Sequence, residues 1–404
     1  MSVSSLQDFL FARRAAGMRP GLERIRRALD ALGRPDRDLA ILQVAGTVGK
    51  GSTAAIAAAI LQAAGLRTGL FTSPHLVRVG ERVRIDGVEA EEHLLLERLE
   101  ALRRALPWAA AAPAEGGLTF FEWCVLLALF TFREAGCEAA VLEVGMGGRW
   151  DATSAAHADV VALTRIGLDH QRILGPDLVA IAGEKAATLR AGVREGVTAG
   201  RPGEALHVFT TAAARKGIPL RVLGRDFPPR PCALAGAHQE ENAGVAAAAA
   251  KALSDQVDEE AVARGLSAVR LPGRLQCLGD GLWLDGAHNP DGARALADAL
   301  AALDLAPVHL VFGCLRDREP ERLLAPLLPL AETVSLVAVA SDRALPPATY
   351  CERIAHRALR ICTLDEALLP RTDTRPTVVC GSLYLVGEVL ARRSGRLQEP
   401  GERL

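Results

Sequence analysis

An α/β protein of two domains is predicted by three features of the chain. It has 404 residues, more than one compact core usually holds, and 50% of them are hydrophobic. Short apolar runs alternate with helix-length stretches, first from about residue 39 and again from about residue 282. That rhythm implies a mostly parallel sheet flanked by helices in each half. Between the two sets, around Leu271-Pro272-Gly273-Arg274, the rhythm breaks. The break sets a larger domain at 1–270 and a smaller one at 271–404.

In order along the chain, residues 1–36 read as a helical lead-in, with Leu22, Ile25, Leu29 and Leu32 at helical spacing. Leu39 to Ala45 reads as a buried strand, followed by a Gly-rich turn at 46–52 and a helix from about Ser52 to Ala64, stopped by Gly65. RTGLF (67–71) is a short strand, 90–106 a charged helix, 107–118 a loop, and Phe120 to Ala135 an apolar helix. Strands are expected at Ala139–Val144 and Asp159–Arg165, and His170 is read as lying at a strand end. Residues 191–235 give little pattern, and the stretch GVREGVTAG from Gly192 to Gly200 lacks an apolar strand. Helices follow at about 239–253 and 258–268. The second set is strand 282–285, helix 290–303, strand 308–312, helix 319–329, strands 333–340 and 376–380, and helix 383–393.

Composition narrows the function. The net charge of −1 argues against a nucleic-acid binder. The eight cysteines form no C-x-x-C pair and read as reduced thiols of a cytoplasmic protein. The N-terminus has no signal-peptide pattern and no run of 18 apolar residues could span a membrane. Only four of the 47 basic residues are lysines: Lys50, Lys185, Lys216 and Lys251. Where Arg fills nearly every cationic position, a lysine suggests a role for a compact or titratable amine. Lys216 and Lys251 read as ordinary surface lysines.

The sharpest local signal is Gly46-Thr47-Val48-Gly49-Lys50-Gly51-Ser52-Thr53. A Gly-rich turn between a buried strand and a helix aims backbone N–H groups at phosphate oxygens, and the helix N-terminus adds positive potential. Lys50 can reach the β- and γ-phosphates, and a hydroxyl of Ser52 or Thr53 can hold Mg²⁺. The larger domain is therefore read as P-loop ATPase-like, with a spacing that departs from G-x-x-x-x-G-K-[ST].

This loop, followed by Thr72-Ser73-Pro74-His75-Leu76 and Glu81-Arg82-Val83-Arg84-Ile85, resembles the dihydrofolate synthase/folylpolyglutamate synthase branch of the Mur ligase superfamily. Further blocks resemble that family in order: Thr119-Phe120-Phe121-Glu122, Glu143 through Thr153, Ile166 through His170, Glu184-Lys185-Ala186, and His238-Gln239 with Asn242-Ala243. Leu271 through Arg274, Leu284 through Pro290, and Gly381-Ser382-Leu383-Tyr384 complete the set.

The resemblance implies a smaller, Rossmann-like α/β C-terminal domain of the glutamate ligase type. It implies ATP held by Gly49, Lys50, Gly51, Ser52, Asn242, Arg274 and Asp285. It implies Mg²⁺, as two ions, on Ser73, Glu143, His170 and Lys185, with Lys185 carbamylated by CO₂ into a carboxylate-bearing ligand. Lys50, Lys185 and His170 are the catalytic candidates. Met18, Arg19, Pro20, Gly21, Thr119, Phe120, Phe121, Glu122, Trp150, Asp151 and Ala152 are implied for the pterin substrate. Glu122 also reads as a favourable charge at a helix start. The implied activity joins L-glutamate to dihydropteroate, to reduced folates, or to both, through an acyl phosphate, in a cytoplasmic monomer.

Three departures from the family pattern stand out: Val48 in place of Asn, Ser154 in place of Asn, and Arg165 in place of a small or polar residue. They keep a second reading open, a paralogue of weakened catalysis that acts mainly as a nucleotide-binding protein. A generic P-loop kinase explains neither Arg274 nor the 285–290 block.

Overall fold

The computed structural model describes residues 5–14, 17, 19–200, 203–371 and 373–399. Its described residues divide into two compact units, one within 5–233 and 240–269, the other within 234–239 and 270–399.

The first unit is built on an eight-stranded sheet: β1 (Ala40–Ala45), β2 (Thr68–Phe71), β3 (Val83–Ile85), β4 (Val88–Glu89), β5 (Ala139–Glu143), β6 (Val160–Leu163), β7 (Glu195–Thr198) and β8 (Leu220–Val222). The strand order is β4-β3-β2-β5-β1-β6-β7-β8, antiparallel only at β2–β3 and β3–β4. β1 lies between β5 and β6 and is buried along nearly its whole length, which is why it reads as an apolar run broken only by Gln43. The helix Lys50–Ala63 leaves β1, while β5 and β6 end on either side of it. The crevice at the carboxyl ends of such strands is where open α/β sheets bind ligands.

The helical lead-in consists of two helices, Leu6–Phe11 and Glu23–Ala31. Other expectations need correction. GVREGVTAG does contain a strand, β7, whose Gly196, Val197 and Thr198 are buried because β6 and β8 flank it on both edges. β6 ends at Leu163, so His170 lies not at a strand end but beyond it, at φ 51°, capping a short helix over Gln171–Leu174. No helix among the described residues is long and apolar enough to cross a membrane.

The second unit holds β9 (Gln276–Cys277), β10 (Leu282–Leu284), β11 (Val308–Phe312), β12 (Ala331–Leu336), β13 (Leu359–Ile361) and β14 (Thr377–Cys380). Their order is β13-β12-β11-β14-β10-β9, with only β10–β9 antiparallel. The expected helix at 319–329 shortens to Pro320–Leu324, and the expected strand at 333–340 to Ala331–Leu336.

A charged clamp pins the amino end of β1 to the start of β6. His157 Nδ1 and Nε2 each lie 3.4 Å from a carboxylate, Asp36 and Asp159 respectively, and Asp159 Oδ2 accepts from Ile41 N at the start of β1 (2.8 Å). The hydrogen bond to Asp159, then that to Asp36, raises the His157 pKa to about 9. The folded-state value exceeds the ordinary 6.5, so the stabilisation is fully present below about 6.5 and is lost as pH rises to about 9. Thermal midpoints followed over that interval should fall more for the native chain than for His157→Gln. Equal slopes would remove the clamp from the account.

Candidate active site

The Gly-rich loop starts where β1 runs out. Gly46 takes φ 152°, and a Cβ there would meet Thr164 Oγ1 at 1.8 Å, so only glycine lets the loop turn against the end of β6. Thr47 N and Val48 N donate to Arg165 O at 2.9 and 3.1 Å. Val48 and Arg165, two of the departures, thus face each other as one antiparallel bridge held by backbone atoms. Gly49 caps the helix at φ 90°, where a Cβ would lie 2.2 Å from the buried Asn242 side chain. The first helical bond runs from Thr53 N to Gly49 O (2.8 Å), which leaves the N–H groups of Lys50, Gly51 and Ser52 at the open end of the helix. Lys50 Nζ rests 3.4 Å from Thr47 O, at the loop's mouth.

Glu143 ends β5, 5% exposed. A Cβ on Gly51 would stand 3.3 Å from its Oε1, so the bare glycine lets a carboxylate approach the first turn of the helix Lys50–Ala63. Its Oε2 accepts from Ser73 N (3.0 Å), which joins the Ser73 loop to the same point. That loop is shaped by Glu81, whose carboxylate accepts from the N–H groups of Leu76, Val77 and Arg78 at 2.8–2.9 Å.

Lys185, in the helix Leu178–Ala186, is 4% exposed. Burial, reinforced by the nearby charge of Lys50, lowers its pKa to about 7, against the pull of Asp169, Asp151 and Glu184. His170 lies beside Asp169, which accepts from its backbone N–H at 2.9 Å. Among the described residues no three His, Cys, Asp or Glu side chains gather as a metal nest. A carboxylate at the helix mouth is nonetheless an oxygen donor of the kind Mg²⁺ takes.

The loop from Gly145 to Asp151 is folded tightly. A Cβ on Gly148 would meet the carbonyls of Glu184 and Lys185 at 2.9 and 3.2 Å. Asp151 accepts from Thr153 N (3.0 Å), Thr153 Oγ1 (2.6 Å) and Met146 N (3.0 Å). Trp150 beside it is 51% exposed. Thr119 and Glu122 cap the helix Phe120–Glu134 reciprocally. Phe120 is buried against Phe11, while Phe121 is half-buried against Phe71.

Glu122 is therefore not an open charge. It also pairs with Arg24 at 3.0 Å, and Arg24 Nη2 donates to Arg19 O (2.7 Å). Arg24 ties the segment of exposed Arg19 and Pro20 and half-buried Gly21 to the Thr119–Glu122 corner, a role that no spacing announced. Met18 lies outside the described residues.

A family model described as Mur ligase, glutamate ligase domain, matches residues 273–373. The folylpolyglutamate synthase of Lacticaseibacillus casei is 33% identical over 91% of this chain and 92% of its own. The chain belongs to the folylpolyglutamate synthase/dihydrofolate synthase family of Mur ligases. A probable bifunctional folylpolyglutamate synthase/dihydropteroate synthase of Haloferax volcanii is 36% identical over 94% of this chain, which spans 49% of that longer relative. A bifunctional folylpolyglutamate synthase/dihydrofolate synthase of Yersinia pestis, solved with AMPPNP and a Mn ion, aligns at TM-score 0.86 and 30% identity over 98% of this chain and 99% of its own.

In the second unit of this synthase-family chain, Asp285 is half-buried just after β10. It accepts from Leu275 N and Ala287 N, both at 2.8 Å. Burial raises its pKa, opposed by Arg274. Gly286 gives Arg274 room, since a Cβ there would meet its Nη1 at 2.7 Å. Arg274 and Asp285 thus come together, and Asn289 caps the helix Pro290–Ala302 just beyond.

Proposed function

We propose that the chain is an ATP-dependent ligase that adds L-glutamate to dihydropteroate, to reduced folates, or to both, by way of an acyl phosphate. The observation that carries this is the meeting of three parts at one strand end. They are the open N–H groups behind Lys50, the Glu143 carboxylate admitted by Gly51, and the Ser73 loop fastened to that carboxylate. The Yersinia pestis relative solved with AMPPNP and Mn supports a nucleotide and a divalent ion in this family.

On this reading Gly49, Lys50, Gly51 and Ser52 hold the triphosphate, with Asn242 beside them in the first unit, and Arg274 and Asp285 are the nucleotide-binding residues of the second unit. Ser73, Glu143, His170 and a carbamylated Lys185 hold Mg²⁺ as two ions. Bound there, Mg²⁺ would supply charge neutralisation during phosphoryl transfer. A lysine 4% exposed with its pKa lowered to about 7 has the neutral amine that CO₂ requires. Arg19, Pro20, Gly21, Thr119, Phe121, Trp150, Asp151 and Ala152 receive the pterin, with Phe120 and Glu122 serving from behind as packing and as anchor for Arg24. The acceptor carboxylate attacks the γ-phosphorus, ADP leaves, and Lys50 compensates the migrating charge. The amine of L-glutamate then attacks the acyl carbon, expelling phosphate and forming the amide.

The test is ADP release with ATP and Mg²⁺, with L-glutamate and either dihydropteroate or tetrahydrofolate added singly and together. Release should need glutamate and a pterin, and Lys50→Ala should lose it. Release that ignores glutamate would make the protein an ATPase or a kinase instead.

A further inference from the structure

Gln43 is a polar side chain at the middle of the central strand β1, 0% exposed, and the mechanism above gives it nothing to do. Its orientation is fixed by chemistry. Arg190 Nη1 can only donate, so the Gln43 oxygen faces it at 2.6 Å. The Gln43 NH₂ then donates to Thr153 Oγ1 (2.9 Å) and to Ser154 Oγ (3.0 Å). Each hydroxyl, having accepted, donates onward: Thr153 Oγ1 to Asp151 Oδ1 at 2.6 Å, and Ser154 Oγ to Gly148 O at 2.6 Å. Arg190 is itself held by Ala156 O (2.6 Å) and Thr188 O (3.2 Å). The donors therefore run one way, from a cation through Gln43 and Thr153 to a carboxylate, each bond polarising the next.

A leucine would fill the interior of the sheet without needing three hydrogen-bond partners. What the carboxamide adds is a fixed link between the sheet and two points of the 145–154 loop. Ser154, one of the departures from the family pattern, is one of the two hydroxyls that Gln43 uses. We propose that Gln43 is a positioning residue for the pterin acceptor, acting through Thr153 to aim Asp151. This rests on the reading of Asp151 as an acceptor-binding group.

The experiment is initial-rate kinetics of ADP release for the native chain, Gln43→Leu, Thr153→Val, their double variant and Asp151→Asn. The pterin is varied at saturating ATP, and then ATP at saturating pterin. Thr153→Val is close to isosteric and leaves the Arg190–Gln43 and Gln43–Ser154 bonds in place, so it stands if Gln43→Leu folds poorly. Gln43→Leu and Thr153→Val should each raise the acceptor KM about tenfold, the effect of one lost hydrogen bond, while the KM for ATP moves less than about twofold. The double variant should be no worse than the more affected single one, because both cut the same chain. If Asp151→Asn raises the acceptor KM and Thr153→Val does not, the relay is overturned. Parallel shifts in both KM values would make Gln43 a structural residue only. If Asp151→Asn leaves the acceptor KM in place, the acceptor site was misread, and the proposal falls with it.

Discussion

Lys185→Met is expected to stabilise the fold at pH 6 and to lower kcat about a thousandfold, the scale of losing several kcal/mol of charge stabilisation. The stability half follows from burial. Enclosure lowers the Lys185 pKa from 10.5 to about 7, with Lys50 adding to the effect. Below about pH 7 the folded chain must carry a buried ammonium that the unfolded chain carries in water. The cost is fully present there and is relieved as pH rises from about 7 toward 10.5. The gap corresponds to roughly 5 kcal/mol at most. Methionine has similar reach and no charge, so it removes this cost. Urea midpoints in CO₂-free buffer should favour the variant at pH 6, and the advantage should shrink by pH 9.5. A variant that unfolds more readily at pH 6 would mean that the ammonium is well satisfied as it stands. The activity half has its own readout: a carbamate carbon signal under ¹³C-labelled bicarbonate, present in the native chain and absent from Lys185→Met. Retained activity in the variant would remove Lys185 from the site.

The opposition between these two halves is what a functional residue buried at a cost looks like. It also explains which parts of the molecule could be read from the chain. β1, Gln43 apart, and β5 up to Glu143 are apolar because both faces are covered, so the run of residues announces the strand. Gly49, Lys50 and Ser52 announce themselves because a Gly-rich strand-to-helix turn is local. β7 did not, since Glu195 and Gly196 are poor strand formers and its burial comes from β6 and β8, neighbours in space. β3 and β4 are three and two residues long, too short for any period to register. The Thr119-to-Glu122 spacing was a capping-box signature in plain view, and it accounts for Glu122 better than an open charge at a helix start. Gln43 and its partners lie 110 or more positions apart, and Arg24 and Glu122 lie 98 apart. No spacing rule reaches such pairs, yet they carry the arrangement of the site.

The meeting of Gly51 and Glu143 is of the same long-range kind, and it yields the other large effect. Gly51 is the second residue of the helix Lys50–Ala63 and has no left-handed backbone to justify a glycine. By helix propensity alone, alanine there should stabilise the fold by up to about 1 kcal/mol. The reason for glycine is the carboxylate. An added Cβ would stand 3.3 Å from Glu143 Oε1, tight enough that Glu143 must give by a few tenths of an ångström. Gly51→Ala is therefore expected to keep or raise the thermal midpoint while lowering kcat. Gly51→Val adds two methyls, displaces the carboxylate further, and should cost about a hundredfold in kcat, the scale of a 1 Å misplacement at a reacting centre. Glu143→Ala serves as the reference: once the carboxylate is gone, Gly51→Ala should cost nothing further, because the two changes act on one contact. If Gly51→Ala lowers stability and leaves kcat unchanged, the glycine serves the turn rather than the carboxylate. The functional joining of the Gly-rich loop and the acidic strand end would then have to be given up.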